Sequence, residues 1–296
     1  MRTKGSIVVD TGITQRNLYS AVRVTATYQL DGGEPSAIFG TGFIAESEQP
    51  GRFGIVTNRH IVDRAWKDPL WADSSIRLEF DLWQDRTTKT TFDMFPSSFY
   101  YHNDDSIDVA AIPLDFSTVQ NCTHKNIILD NHITWSYLME SLEQWEILEP
   151  SENVYFPGYP EWYDHNGGRP IMRTGAIVSD PQNDYRRYNG TPTMVDGNRQ
   201  ILFEAFSSSG NSGSPVFVSQ RGIKAGLGIL YDGVYHPSLL VGINAGHFET
   251  KGESVETIDN KLLVTNWHVG LSRMFKTSAI VDVLAQMCQS YSWPAS

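Results

Sequence analysis

The sequence predicts an all-β fold: two six-stranded antiparallel barrels in tandem, closed by a C-terminal helix. Three observations carry that expectation. Short apolar runs with a period of two recur between residues 21 and 114, each bounded by Gly, Pro, Asn or Asp. The same cadence returns between residues 154 and 245 after a mixed segment. The last segment instead repeats with a helical period, placing Ile280, Val283, Leu284 and Met287 on one face behind Thr277 or Ser278 as a cap.

In chain order, residues 1–16 lack a sustained period and read as an N-terminal arm. The first barrel is assigned to 17–130. Ala21 to Leu30 alternates and stops at Asp31-Gly32-Gly33, a hairpin turn. Ala37 to Glu46 carries Gly40 and Gly42, where backbone must approach closely or bulge. Phe53 to Thr57, Ser75 to Trp83, Lys89 to Phe95 and Ile107 to Leu114 follow. The second barrel is assigned to 131–275, with Ile133 to Trp145 as a short linking helix. Its strands are Val154 to Phe156, Ile171 to Ser179, Ile201 to Phe206, Pro215 to Ser219, a hairpin around Asp232-Gly233, and Leu239 to Ala245. Asp180 to Asn198 reads as an exposed loop, and 276–296 as the C-terminal helix and tail.

A chain of 296 residues, 40% hydrophobic, can bury a substantial core. A net charge of -11 argues against binding driven by nucleic-acid phosphates, and no apolar run is long enough to span a membrane. The early run Ile7-Val8-Val9 is too short for a signal peptide. Cys122 and Cys288 make neither a disulfide framework nor a zinc motif, so both are expected reduced and the protein cytoplasmic. The glycosylation sequons at Asn121 and Asn189 are then read as chance matches.

The chemistry concentrates in Phe206-Ser207-Ser208-Ser209-Gly210-Asn211-Ser212-Gly213-Ser214-Pro215. Two glycines bracket one serine between strands, a turn that can present a hydroxyl and aim backbone N–H groups at the same point. A serine hydroxyl is a weak nucleophile and needs a base, which in turn needs a carboxylate to fix its tautomer. His60 follows the apolar run Gly54-Ile55-Val56-Thr57, where its ring can be held at a barrel rim. Asp108 leads into Val109-Ala110-Ala111-Ile112, so it is partly buried and requires a partner. Asp104 and Asp105 are its rivals, and His102 with them makes a weak metal-site alternative.

Gly40-Thr41-Gly42-Phe43, Val56-Thr57-Asn58-Arg59-His60, Asp108-Val109-Ala110 and Gly210-Asn211-Ser212-Gly213-Ser214-Pro215 occur in one order. Together they resemble the trypsin-like, chymotrypsin-fold serine proteases, in particular the bacterial branch with the HtrA/Deg-type enzymes, over roughly residues 18–275. The order His, Asp, Ser separates this pattern from subtilisins and α/β-hydrolases. The resemblance implies a serine endopeptidase that needs no cofactor and no metal. Ser212 would be the nucleophile, His60 the base, Asp108 its orienter, and the N–H groups of Gly210 and Ser212 the oxyanion hole. Val154 to Pro160 resembles the opening of the second barrel, and Leu240 to Gly246 the strand that pairs with an extended substrate through Asn244, Ala245 and Gly246.

The resemblance also implies that Phe206, six before the nucleophile, floors the primary pocket, with Ser207 beside it. No acid occurs at 206–209, so cleavage after Lys or Arg is not expected. An apolar or small residue before the scissile bond is, although His247 would suit an acidic one. Many secreted members carry Asp before the nucleophile, paired with a new N-terminal amine; Asn211 cannot form that pair. A peptide-binding domain like those that follow the HtrA/Deg proteases is not expected. The expected partners are a protein or peptide substrate and a regulatory protein, with no nucleic acid and no membrane. The alternatives are a catalytically silent or partner-activated module that binds extended peptides, and an esterase using the same residues.

Overall fold

In the computed structural model, which describes residues 13–84, 87–96, 98–115, 131–186, 198–222, 234–256 and 262–293, the period-two runs become antiparallel strands. A helix, α1 (Ile13–Tyr19), begins in the expected arm and runs past its end at 16, and Asn17 donates from Nδ2 to the Tyr155 hydroxyl of the second half at 2.8 Å. The first half holds β1 (Ala21–Gln29), β2 (Ser36–Glu46), β3 (Phe53–Thr57), a one-turn helix α2 (Arg59–Val62), β4 (Ser75–Trp83), β5 (Lys89–Met94), β6 (Tyr100–Tyr101) and β7 (Ala110–Leu114). Val22, Val24, Ala26 and Tyr28 of β1 point inward, as their alternation requires.

Among the described residues the first half is a seven-stranded sheet in the order β5-β4-β1-β2-β3-β7-β6, one strand more than expected and not the closed barrel expected. The extra strand, β6, has two residues, too few for any periodicity to announce. The strand expected from Ile107 begins at Ala110, so Asp108 sits in the approach to β7.

In the second half, α3 (Trp135–Glu143) is capped by Thr134, whose hydroxyl accepts from Tyr137 N–H at 3.3 Å. Then come β8 (Asn153–Gly158), β9 (Ile171–Ile177), β10 (Gln200–Glu204), β11 (Pro215–Val218), β12 (Leu239–Glu256) and β13 (Leu262–Lys276). They close into a barrel in the order β10-β13-β12-β11-β8-β9. β12 runs well past the expected end at Ala245, and β13 was not anticipated at all. Register shifts between Asn244/Gly246, His247/Glu249 and Lys251/Ser254 interrupt the period that would have revealed them. The hairpin expected at 232–233, both sequons and Cys122 lie outside the described residues; Cys288 is a buried free thiol.

The final helix, α4 (Thr277–Ser290), buries Ile280, Val283, Leu284 and Met287 completely. Each contributes roughly 1.5–3 kcal/mol by leaving water. These side chains share one cluster with Val56 and Ile107 of the first half and Ile243 and Phe275 of the second, so α4 seals the seam between halves. Its cap differs from expectation. Lys276 occupies the N-cap, and the Thr277 hydroxyl donates to Leu240 O instead. Among the described residues, no helix is long and apolar enough to cross a membrane.

Candidate active site

Strand pairing assembles one part of the site. Thr57, the last residue of β3, faces Ala110, the first of β7, so the segments just beyond these ends are neighbours. Asn58 Nδ2 donates to Asp108 O at 2.7 Å and fixes that approach. The Asp108 carboxylate then accepts twice from one residue, from His60 N–H at 2.9 Å and from His60 Nδ1 at 2.6 Å. With Nδ1 carrying its proton to Asp108, Nε2 is left as an acceptor on a ring that is 30% exposed.

Asp108 is 4% exposed. Burial pushes its carboxyl up, but the adjacent His60 charge and the two His60 hydrogen bonds outweigh that and hold it below the ordinary carboxylate range. The rivals are engaged elsewhere. Asp105 pairs with Arg59 at 2.8 Å, and Asp104 accepts from Ser106 N–H and Asn198 Nδ2. His102 accepts from Asp104 N–H at 3.0 Å and faces Asp282 at 3.4 Å. Among the described residues, no group of three His, Cys, Asp or Glu side chains is arranged for a metal.

The serine turn, between β10 and β11, is held from both halves. From the first, Thr41 donates its N–H to Ser212 O at 2.8 Å and its hydroxyl to Gly210 O at 2.7 Å. From the second, Gly213 N–H donates to Asn244 O at 2.8 Å, and Asn244 Nδ2 donates to Asn211 O at 2.8 Å. Both flanking glycines are obligatory. Gly210 has φ +91° and a Cβ there would lie 2.2 Å from Tyr159 O; Gly213 has φ +88° and its Cβ would lie 1.8 Å from Thr41 O.

The orientation of Gly210 follows from a neighbouring bond. Ser209 O accepts from Glu161 N–H at 3.0 Å, and the intervening peptide is trans, so Gly210 N–H points the opposite way. Among the described residues, neither Gly210 N–H nor Ser212 N–H has a hydrogen-bond acceptor. No hydrogen bond joins Ser212 Oγ to His60 among them either, and such contacts commonly tighten only with substrate. Gly40 lies between the Ile61 side chain and the serine turn: a Cβ on it would meet Ile61 Cδ1 at 2.2 Å and Ser212 O at 3.2 Å.

The residues expected to bind substrate divide. Ser207 is buried, and its hydroxyl accepts from Ser272 Oγ at 2.9 Å. Phe206 is 64% exposed and its ring packs on His268 at 5.1 Å. Asn244 gives both its backbone and its Nδ2 to the serine turn and so braces it. Ala245 is buried, and Gly246, at φ +119°, borders open space. His247 stacks on His268 at 4.4 Å and meets Glu249 at 3.1 Å. Burial, then His247, hold the His268 imidazole below its ordinary range.

Sequence reasoning missed the bracing residues Asn58, Thr41, Tyr159 and Glu161. Thr41 had a usable signal, a hydroxyl wedged between Gly40 and Gly42 in a strand. The other three act through backbone or amide contacts that leave no trace in composition.

Two antiparallel β halves, with a His–Asp pair on the first and a glycine-bracketed serine on the second, make the chymotrypsin-like serine protease fold. No protein-family model matches the chain, and no curated protein matches it in sequence. Solved structures do. The thermostable serine protease AL20, from an extremophilic microorganism, is 10% identical with a TM-score of 0.52, covering 93% of this chain and all (100%) of that one. The Rv3671c protease of M. tuberculosis, as a serine-to-alanine variant in inactive form, is 16% identical with a TM-score of 0.46, over 100% of this chain and 98% of that one. A Glu endopeptidase in complex with MPD is 12% identical with a TM-score of 0.43, over 93% and 92%. These likenesses bear on the fold alone, and none singles out the HtrA/Deg branch.

Proposed function

We propose that the protein is a serine endopeptidase that works through an acyl-enzyme at Ser212. The observation that carries this reading is the His60–Asp108 pair on the half whose Thr41 also clamps the serine turn. Ser212 Oγ attacks the scissile carbonyl as its proton passes to His60 Nε2. His60 then gives that proton to the departing amine, and water repeats the sequence to release the acid. Asp108, held ionised, keeps Nδ1 protonated and stabilises the imidazolium. The N–H groups of Gly210 and Ser212 receive the developing oxyanion, and β12 beyond Ala245 pairs with the extended substrate.

The orientation of Gly210 also bears on the partner-activated alternative. A resting turn awaiting a partner would have that peptide reversed, and Glu161 N–H supports the productive sense. The test is labelling by a fluorophosphonate probe together with cleavage of casein by the purified chain. Both are expected in the wild type and lost in Ser212→Ala. Labelling that persists in the variant, or casein cleavage that appears only with added cell extract, sinks the constitutive reading. Turnover of nitrophenyl esters without any peptide turnover would favour the esterase.

A further inference from the structure

His60 and Asp108 come from segments that need a further tie. The helix α2 is a single turn, too short to persist by itself. Its N-cap, Asn58, makes no side-chain cap bond, because Asn58 Nδ2 is turned to Asp108 O. Asp108 ends a polar turn that His102 N–H closes against Val109 O at 3.3 Å and Ile107 N–H against Asp104 O at 3.0 Å. One side chain reaches both segments. Arg59 donates from Nε to Asp63, the C-cap of α2, at 2.9 Å, and from Nη1 to Asp105, in the Asp108 turn, at 2.8 Å. Its guanidinium lies 4.9 Å over the ring of Trp66, in the 3₁₀ turn that follows α2, and 4.5 Å over that of Tyr101 in β6, which leads into the Asp108 turn.

An ion pair with Asp105 alone would count for little, since that carboxylate is 88% exposed. Arg59 itself is only 15% exposed and is already held by a second carboxylate and by one ring from each segment. Little further ordering is then needed to make the bond. Burial disfavours its charge, but Asp63 and Asp105 outweigh that and hold the guanidinium above its ordinary range. A lysine lacks the planar fork that serves two carboxylates and lies flat against rings. Consecutive side chains leave a helical turn about 100° apart, so this tie does not use the face from which His60 meets Asp108. We propose that Arg59 is a positioning residue of the reaction, joining α2 to the Asp108 turn so that His60 keeps its place through both proton transfers. This rests on the acyl-enzyme reading above. A misplacement of about 1 Å costs on the order of 10²-fold in rate, and a partial slip of this tie about ten-fold.

Kinetics and NMR on the same variants test this role. Arg59→Met is expected to lower kcat on a peptide about ten-fold with KM unchanged, and Arg59→Lys about three-fold. Asp105→Asn, at an exposed position that does not threaten the fold, is expected to lose about three-fold. In the Arg59→Met background it should add nothing, because both changes break one link. The NMR measurement needs no turnover. The proton on His60 Nδ1, in its 2.6 Å hydrogen bond to Asp108, should exchange with water faster in Arg59→Met than in the wild type and recover in part in Arg59→Lys. A rise in KM with kcat unchanged, additive losses in the double variant, or an Nδ1 resonance that exchanges as in the wild type overturns the positioning role while leaving the acyl-enzyme standing. The absence of any nitrophenol burst from a nitrophenyl ester in the wild type overturns the acyl-enzyme reading, and the kinetic part of this proposal with it, whereas the resonance still decides whether Arg59 holds the pair.

Discussion

The His60–Asp108 pair and the Ser212 turn are built in opposite ways. The pair is made within one sheet: β3 and β7 are neighbours, and three hydrogen bonds among Asn58, His60 and Asp108 complete it. Its hydrogen bonds come from the first half, and Arg273 of β13 adds only to the charge that holds Asp108 low. The serine turn is a joint between halves, gripped by Thr41 on one side and by Asn244 and Glu161 on the other, with Tyr159 N–H donating to the Thr41 hydroxyl. Its shape therefore depends on how the halves are docked, a docking that α4 also secures. The His60–Asp108 pair is pre-set, and the serine turn carries the sensitivity to distant change.

The largest expected effect removes the nucleophile. Ser212→Ala should lower kcat on the order of 10⁶-fold while the thermal transition stays within a few degrees, measured on the same preparation. Asp108→Asn should follow at about 10⁴-fold, because an amide no longer dictates which ring nitrogen bears the proton. A loss of that size in Asp104→Asn or Asp105→Asn, with Asp108→Asn near wild type, would transfer the role. Asp108 also has a stability signature. Its carboxyl is held below the ordinary range, so its contribution is complete above about pH 4–5 and is lost as pH falls through the lowered folded value. Urea midpoints followed from pH 6 to pH 3 should fall less steeply for Asp108→Asn than for the wild type.

Gly210→Ala tests the cradle alone. The added Cβ meets Tyr159 O at 2.2 Å in a left-handed conformation, so the peptide must rotate. A loss of about 10²–10³-fold in kcat is expected, as when an oxyanion donor is removed. Fluorophosphonate labelling should slow in parallel. Retention of full activity would mean that Gly210 N–H is not a donor to the transition state.

The two regions were also unequally legible. His60 and Asp108 could be paired from the sequence because each borders an apolar strand, a buried acid needs a partner, and the family resemblance names the same two residues. The strands themselves were legible wherever one face is buried, as in β1 and β4, and failed where bulges break the alternation, as in β12 and β13. The bracing of the serine turn was illegible because it joins residues far apart in the chain. Thr41 reaches Gly210, 169 positions away, and Tyr159, 118 away, and no local pattern encodes either contact.

Thr41→Val is the mildest change and separates the two regions most cleanly. Valine keeps the shape and the backbone N–H that holds Ser212 O. It removes the hydroxyl that donates to Gly210 O and accepts from Tyr159 N–H at 3.0 Å. One buried donor is left unpaired, at a cost of about 1–3 kcal/mol. If that falls on the cradle in the transition state, kcat drops about 10–100-fold. The His60–Asp108 pair, which shares no atom with this contact, should be untouched. Its Nδ1 proton, in a 2.6 Å hydrogen bond, should remain as a downfield NMR resonance in Thr41→Val and disappear in Asp108→Asn. A resonance that shifts or vanishes in Thr41→Val would show that the docking of the halves reaches the base as well, and that the two regions are one cooperative unit.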